Sequence, residues 1–325
     1  MKVTVVWPAP AAEASAVGPA SGGYLYDAQL VHALRRLVDV HVVSLRGALE
    51  VKALAGSSAV LVDGLAAPLV VDALASLRAW RVGLVHMTPR RDEVQQRFFD
   101  ALDAVVFVSE SVRTETAAVV HLPPRVTVAV PGIDHIARPV RTPRAEILGV
   151  GHLLPHKGVL EALEVFAALH RRAPHRSWRA TWLGGLDRDV PYAESVVARR
   201  AALGLEARVE FAGHVPLTQV VTSLASCAAL VSTSYTEAWG LAAAEALACG
   251  VPLVSWTRGG VFPLAAAEGA GRFVARDDVE AMAHALEVML TDSVERQRCE
   301  VAAARVARQL SSWDACARAV VTACG

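Results

Sequence analysis

The chain has 325 residues, which is room for two compact α/β domains of about 150 residues each. An apolar fraction of 54% excludes a disordered polypeptide, and no apolar run approaches the roughly 20 residues a membrane-spanning helix needs. With 32 basic residues against 32 acidic ones, the global basic field of a nucleic-acid binder is excluded as well.

The chain opens on an apolar run, Val3 to Trp7, that stops at Pro8 and reads as a first strand rather than a leader. A cytosolic protein is therefore expected. A loop rich in Pro, Ala, Ser and Gly follows through Gly23, then a helix with Tyr26, Leu30, Leu34 and Leu37 on one face. The β-branched segment Val40–Ser44 reads as a strand. Further apolar runs end at Val62, Val85 and Val108, with helical stretches between them. Such alternation predicts a parallel sheet covered by helices on both faces.

The pattern breaks at Arg138–Arg144, which has two prolines and three arginines and no apolar period, and reads as a linker. Alternation then restarts with strand Glu146–Val150 and a helix from about Val159 to Arg172. Strands follow at Arg179–Leu183, Val209–Phe211 and Ala228–Ser232. A helix over Gly240–Cys249 is closed by Gly250 and Pro252, a stop signal. The last strand is expected at Pro252–Ser255, with helix from there to the carboxy terminus. The fold class is thus α/β, two tandem doubly wound parallel sheets. The expected domains are 1–138, a linker at 139–144, then 145–305. For the helical segment 306–325, a return to the first domain is one option. Ligands of such sheets sit beyond the carboxyl ends of the strands, and the cleft between two facing domains is the default site.

Four segments carry chemistry. Ser21-Gly22-Gly23 lies just before the first helix, where glycines let backbone N–H groups approach an anion. A flexible turn is the competing reading, and the absence of GxGxxG leaves a nicotinamide cofactor unsupported. Gly151–Gly158 follows the first strand of the second half and carries Lys157, one of only three lysines (with Lys2 and Lys52). A lysine where a strand turns into a helix can meet phosphate oxygens, although the GK[ST] ending of a P-loop is missing. Thr236–Ala246 carries Glu237 and Glu245, the second inside an otherwise apolar helix, where a buried carboxylate needs partners such as sugar hydroxyls. Amides at Gly240–Ala242 would face an anion at that helix start. Last, His86 ends an apolar strand and would point into a ligand crevice; a structural histidine is the alternative. The five cysteines show no metal-ligand spacing, and Cys227 and Cys249 read as core thiols.

Together these segments resemble the retaining GT-B glycosyltransferases of family 4. EAWGLAAAEALACGVPLV looks like that family's signature, with Glu237 and Glu245 at its two-glutamate spacing. GVGHLLPHKG, SGGYLYDAQLVHALRR, LVHMTP and the Val130–Asp134 segment match in order, from about residue 3 to residue 264. The resemblance implies a GT-B fold whose two Rossmann-like domains face a central cleft, an N-terminal one for the acceptor and a C-terminal one for the donor. It implies a nucleotide-diphosphate sugar as donor substrate, with no cofactor and no metal. Glu237 would contact the donor sugar, Glu245 the ribose and Lys157 the diphosphate. The Gly22 and Gly23 backbone would hold the distal phosphate, and backbone amides of Trp239, Gly240 and Leu241 the donor oxygens. His86 would touch the reacting sugar or acceptor.

Two positions depart from the family. His152 stands where it usually has Arg, so diphosphate affinity is expected to rise as His152 protonates. Gly259–Pro263 lacks the glutamate of the usual GG-x-x-E ending. Asp187-Arg188-Asp189 resembles the DxD metal motif of the other glycosyltransferase fold but sits in a predicted loop, so no metal role is expected there. An epimerase or phosphorylase of the same fold, and a silent nucleotide-sugar-binding subunit, are the alternatives. The acceptor is expected to be a small molecule, with a lipid-linked one and a membrane surface left open, and no nucleic acid as partner.

Overall fold

A computed structural model describes residues 1–9 and 22–325, so Ser21 and most of the loop before it lie outside the described residues. The chain divides into two compact units. The first comprises Met1–His135 with Ser311–Gly325, and the second comprises Ile136–Leu310.

Unit one is built on a six-stranded parallel sheet: β1 Lys2–Pro8, β2 Asp39–Leu45, β3 Ala59–Asp63, β4 Trp80–Val85, β5 Ala104–Phe107 and β6 Arg125–Val128. Its order is β2-β1-β3-β4-β5-β6. The central strands are buried along their whole length, β3 at every position, which is why AVLV and AVVF read as continuous apolar runs rather than alternating ones. The first helix, Gly22–Leu34, buries Tyr26, Leu30 and Leu34 but ends before Leu37, which is 42% exposed. The carboxy-terminal helix Trp313–Ala323 closes this unit. Tyr26 donates to the Ala129 carbonyl (2.8 Å) and touches Cys316 Sγ (3.1 Å), while Trp313 stands edge-on to Tyr26 at 5.3 Å.

Unit two repeats the plan with β7 Glu146–Val150, β8 Arg179–Leu183, β9 Val209–Gly213, β10 Ala229–Ser232, β11 Leu253–Ser255 and β12 Gly271–Phe273. These strands run parallel in the order β12-β11-β10-β7-β8-β9. Its core cluster gathers Leu163, Phe166, Met282 and Leu286 from the helices, Trp182 from β8 and Trp256 from the residue after β11. The segment after Ser255 is not helical throughout, as the sequence suggested: it turns back for β12, an edge strand of three residues. Arg138–Arg144 is not a loose tether either. Thr142 and Arg144 donate backbone N–H groups to Ala225 and Ser226 (2.9 and 2.7 Å), and Arg141 pairs with Glu300 at 2.8 Å.

Among the described residues, no helix is long and apolar enough to cross a membrane. All five cysteines are free and buried, with burial raising the thiol pKa of Cys227 to about 12 and of Cys249 to about 11.

Candidate functional site

Strand order locates the site in unit two. From β7 the chain moves outward to β8 and β9, then returns to lay β10 on the other side of β7. Connections leave β7 and β10 in opposite directions, and a crevice opens beyond their carboxyl ends, where open α/β sheets bind ligands. The loop after β7 is Gly151–Gly158, and the loop after β10 runs from Thr233 to Gly240.

The two loops are stitched together. Gly158 adopts φ +64°, ending the 3-10 turn Pro155–Lys157 and starting helix Val159–Arg172. A Cβ there would lie 2.1 Å from the Thr233 carbonyl oxygen, so only glycine permits the approach. Thr233 in turn donates its hydroxyl to the Gly158 carbonyl at 2.7 Å. This registration places Lys157 Nζ 2.7 Å from Glu237 Oε1, and Ser234 Oγ donates to the same oxygen at 2.8 Å. The Lys157 and Glu237 side chains are 22% and 17% exposed, shielded enough that their attraction is not that of a surface pair yet reachable by a ligand.

Beyond Glu237 the chain turns through Gly240 (φ +82°) into helix Leu241–Ala248. Gly240 has no side chain with which to cap that helix, whose first amides lack intrahelical acceptors and form the positive end of its dipole. The Trp239 carbonyl accepts from Val261 N–H at 2.9 Å, while its indole Nε1 is buried without a hydrogen-bond partner among the described residues. Glu245 is 6% exposed, one turn after Leu241 on the same helix. Lys157, Glu237 and the Trp239–Leu241 turn thus share one edge of the unit.

His152 behaves differently from expectation. It is 9% exposed, and burial, aided by Arg188 and His214, holds its pKa down at about 4. With no bound anion beside it the imidazole is therefore neutral near pH 7, and the expected gain in diphosphate affinity through its protonation belongs to more acid conditions. Its Nδ1 is buried without a partner among the described residues.

His86, Gly22 and Gly23 belong to unit one, whose order reverses between β1 and β3. Gly22 and Gly23 open helix Gly22–Leu34, which also carries Asp27; Ser21 is outside the described residues. His86 follows β4 and donates from Nε2 to Asp27 Oδ1 at 2.9 Å, its ring edge-on to Tyr26 at 5.0 Å. Asp63, at the end of β3, completes a buried group, its Oδ1 accepting from Leu65 N–H at 2.8 Å. Burial pulls the His86 pKa down, but Asp27 and then Asp63 outweigh it and raise the value to about 9. Asp63 is itself pushed up to about 6, first by burial and then by Asp27 against the pull of His86.

Sequence reasoning did not single out Ser234, Asp27, Asp63 or His214. Asp27 had a signal, the one acid among the helix positions that pack inward beside Tyr26 and Leu30. Asp63 had a weaker one, a carboxylate ending an all-apolar strand.

Comparison with known proteins decides the family. The model of glycosyl transferases group 1 matches residues 134–306, just over half of the chain and nearly all of unit two. The chain belongs to this family. Among curated relatives, D-inositol 3-phosphate glycosyltransferase of Corynebacterium diphtheriae is 33% identical over 169 residues, covering 52% of this chain and 39% of the relative. Glycogen synthase of Mycobacterium tuberculosis is 34% identical over 206 residues, covering 61% of this chain and 47% of the relative. The chain therefore spans well under two thirds of the length of these relatives. As a fold, this group 1 chain is similar to sucrose-phosphate synthase of Thermosynechococcus elongatus, with TM-score 0.81, 17% identity and 99% and 97% of the two chains covered. Anabaena HepE in complex with UDP and glucose superposes with TM-score 0.78 at 16% identity, covering 99% of this chain and 98% of its own. The architecture of the two parallel sheets is that of the GT-B glycosyltransferases.

Proposed function

We propose that the chain is a glycosyltransferase that moves a sugar from a nucleoside diphosphate sugar to an acceptor hydroxyl with retention of anomeric configuration. The observation that carries the reading is the Lys157–Glu237 pair at the strand-order reversal of unit two, beside the uncapped start of helix Leu241–Ala248. A diphosphate arriving at this edge competes with Glu237 for the ammonium. Lys157 then neutralises phosphate charge, and the released Glu237 carboxylate accepts hydrogen bonds from sugar hydroxyls.

The helix amides at Gly240–Ala242 and the indole N–H of Trp239 donate to the remaining oxygens. As the bond between the sugar and the diphosphate breaks, negative charge grows on the leaving group, and these fixed donors stabilise it without a metal in the reacting centre. Glu245 serves the ribose. In unit one, His86 with its Asp27 partner contacts the sugar or acceptor as an imidazolium donor, and the Gly22–Gly23 backbone contacts a phosphate. A small-molecule acceptor and a cytosolic setting complete the reading.

The test is release of nucleoside diphosphate from UDP-, GDP-, ADP- and dTDP-sugars in the presence of an acceptor panel, with product configuration read by NMR. One donor series is expected to turn over, Glu237→Gln to lower kcat by roughly 100-fold, and the product to keep the donor's anomeric configuration. An inverted product would contradict retention. Turnover by Glu237→Gln equal to that of the wild type would remove the assignment of this edge, and so would a wild type that turns over none of these donors.

A further inference from the structure

Three adjacent strands of unit two end in residues with metal-binding side chains. His152 follows β7, Asp187 follows β8 across Gly184-Gly185, and His214 directly follows β9. One ring nitrogen from each histidine and one Asp187 carboxylate oxygen lie within 4.8 Å of one another. His214 Nε2 is 2.9 Å from Asp187 Oδ1, and the His152 and His214 rings meet edge-on at 5.2 Å.

The backbone holds this arrangement in place. Gly151 N–H donates to Leu183 O (2.8 Å), Leu153 N–H to Gly185 O (3.0 Å) and Gly184 N–H to Gly213 O (2.9 Å), which ties the three strand ends into one layer. The glycines between them make the room: a Cβ at Gly184 would strike the Gly151 carbonyl oxygen at 2.0 Å, and one at Gly185 would strike His214 Nε2 at 2.1 Å. Meanwhile His152, buried to 9% exposure, keeps Nδ1 without a partner among the described residues, which leaves that nitrogen open to a ligand.

We propose that His152, Asp187 and His214 form a binding site for a divalent transition-metal ion. Two imidazoles and one carboxylate suit zinc, cobalt or nickel, whereas magnesium and calcium prefer all-oxygen sets. Imidazole and carboxylate atoms bound to zinc at about 2.0–2.2 Å must draw together, and Asp187 at 71% side-chain exposure and His214 at 30% have the freedom to do so. Three protein ligands leave at least one position open for water or a phosphate oxygen. Because His152 opens the loop that carries Lys157, the ion adds positive charge to the proposed diphosphate edge. That second consequence rests on the function proposed above; metal binding itself does not. The ion strengthens donor binding and takes no part in bond making, so its removal should raise KM and leave kcat nearly unchanged.

The test uses the purified full chain, stripped with chelator and titrated with cobalt(II) without nucleotide. One equivalent is expected to bind, with visible absorption of a low-coordinate ion, and zinc should displace it. His214→Ala and Asp187→Asn, both at exposed positions and checked for folding by circular dichroism, should weaken binding by about tenfold or more. Lys157→Ala, which is not a ligand, should bind cobalt as the wild type does. Wild-type binding that survives unchanged in His214→Ala overturns the site, and so does a chain that binds no cobalt. A nucleotide diphosphate titration with and without zinc then separates the two claims: unchanged nucleotide affinity in the zinc-loaded protein would refute the charge contribution alone.

Discussion

At the scale of single residues, the site rests on charges that find one another across long stretches of sequence. Lys157 and Glu237 are both legible as candidates, since one is a rare lysine at a strand-to-helix turn and the other precedes an apolar helix. Their ion pair at 2.7 Å is not legible, because it depends on β10 returning beside β7. His86 shows the same limit. Its place at a strand end can be read from the pattern, and Asp27 can be read as an inward-facing acid of its helix, but their meeting depends on the tertiary fold that brings residue 27 to the end of β4. The groups facing His86 are Asp27, Asp63 and the Tyr26 ring, and they fix a sign for its titration. Its folded pKa of about 9 lies above the unfolded value of about 6.5. The pair's contribution to stability is therefore fully present below pH 6.5 and is lost as pH rises through 9. In Asp27→Asn the larger attraction goes while burial and the smaller pull of Asp63 remain, so the His86 midpoint should fall well below 9. Titration of the His86 ring by NMR reads this directly. A midpoint that stays near 9 in Asp27→Asn would show that Asp27 does not hold the charge.

At the scale of elements, long apolar strands and well-punctuated helices are visible in the sequence, whereas β6 and β12 are not. Both lie at sheet edges. β6, Arg-Val-Thr-Val, is exposed or half-buried throughout, and β12 spans three residues. Neither buries enough apolar surface to impose a pattern, so backbone pairing with the neighbouring strand defines them. The junction at Gly158 is the element on which the site most depends. Gly158→Ala must place a Cβ 2.1 Å from the Thr233 carbonyl oxygen in a left-handed conformation, which forces the two loops apart. A loss of about 2–4 kcal/mol is expected in denaturant unfolding. Nucleotide affinity should fall with it, because the Lys157–Glu237 registration is set there. Wild-type stability in that variant would show that the loops yield at little cost.

At the scale of the whole molecule, two sheets of six parallel strands each reverse strand order once, and Lys157 and Glu237 follow the two strands that flank the reversal in the second. The alternation that announces two such sheets is plain in the sequence. The membership of the last segment is not, since Ser311–Gly325 belongs to unit one through contacts made far from it in sequence. Trp313 accepts a place there with its N–H on Asp134 Oδ1 (2.7 Å), Trp80 donates to the Ala323 carbonyl (2.9 Å), and Asp314 pairs with Arg36. Truncation after Leu310 would uncover Tyr26 and remove the buried Trp313, Cys316 and Val320. At about 1.5–3 kcal/mol for each large apolar side chain lost, unit one should lose most of its hydrogen-exchange protection while the strands of unit two keep theirs. Equal loss in both units would contradict this division of the chain.

The central claim is that the Lys157–Glu237 edge receives a nucleoside diphosphate. It is tested most directly by calorimetric titration of wild type, Lys157→Ala and Glu245→Ala with UDP, GDP, ADP and dTDP. One nucleotide should bind the wild type and be weakened roughly tenfold to a hundredfold in Lys157→Ala, a loss of about 1.4–2.8 kcal/mol. Affinity should fall in Glu245→Ala as well. Equal affinity in all three proteins, or no nucleotide bound by the wild type, would contradict the claim.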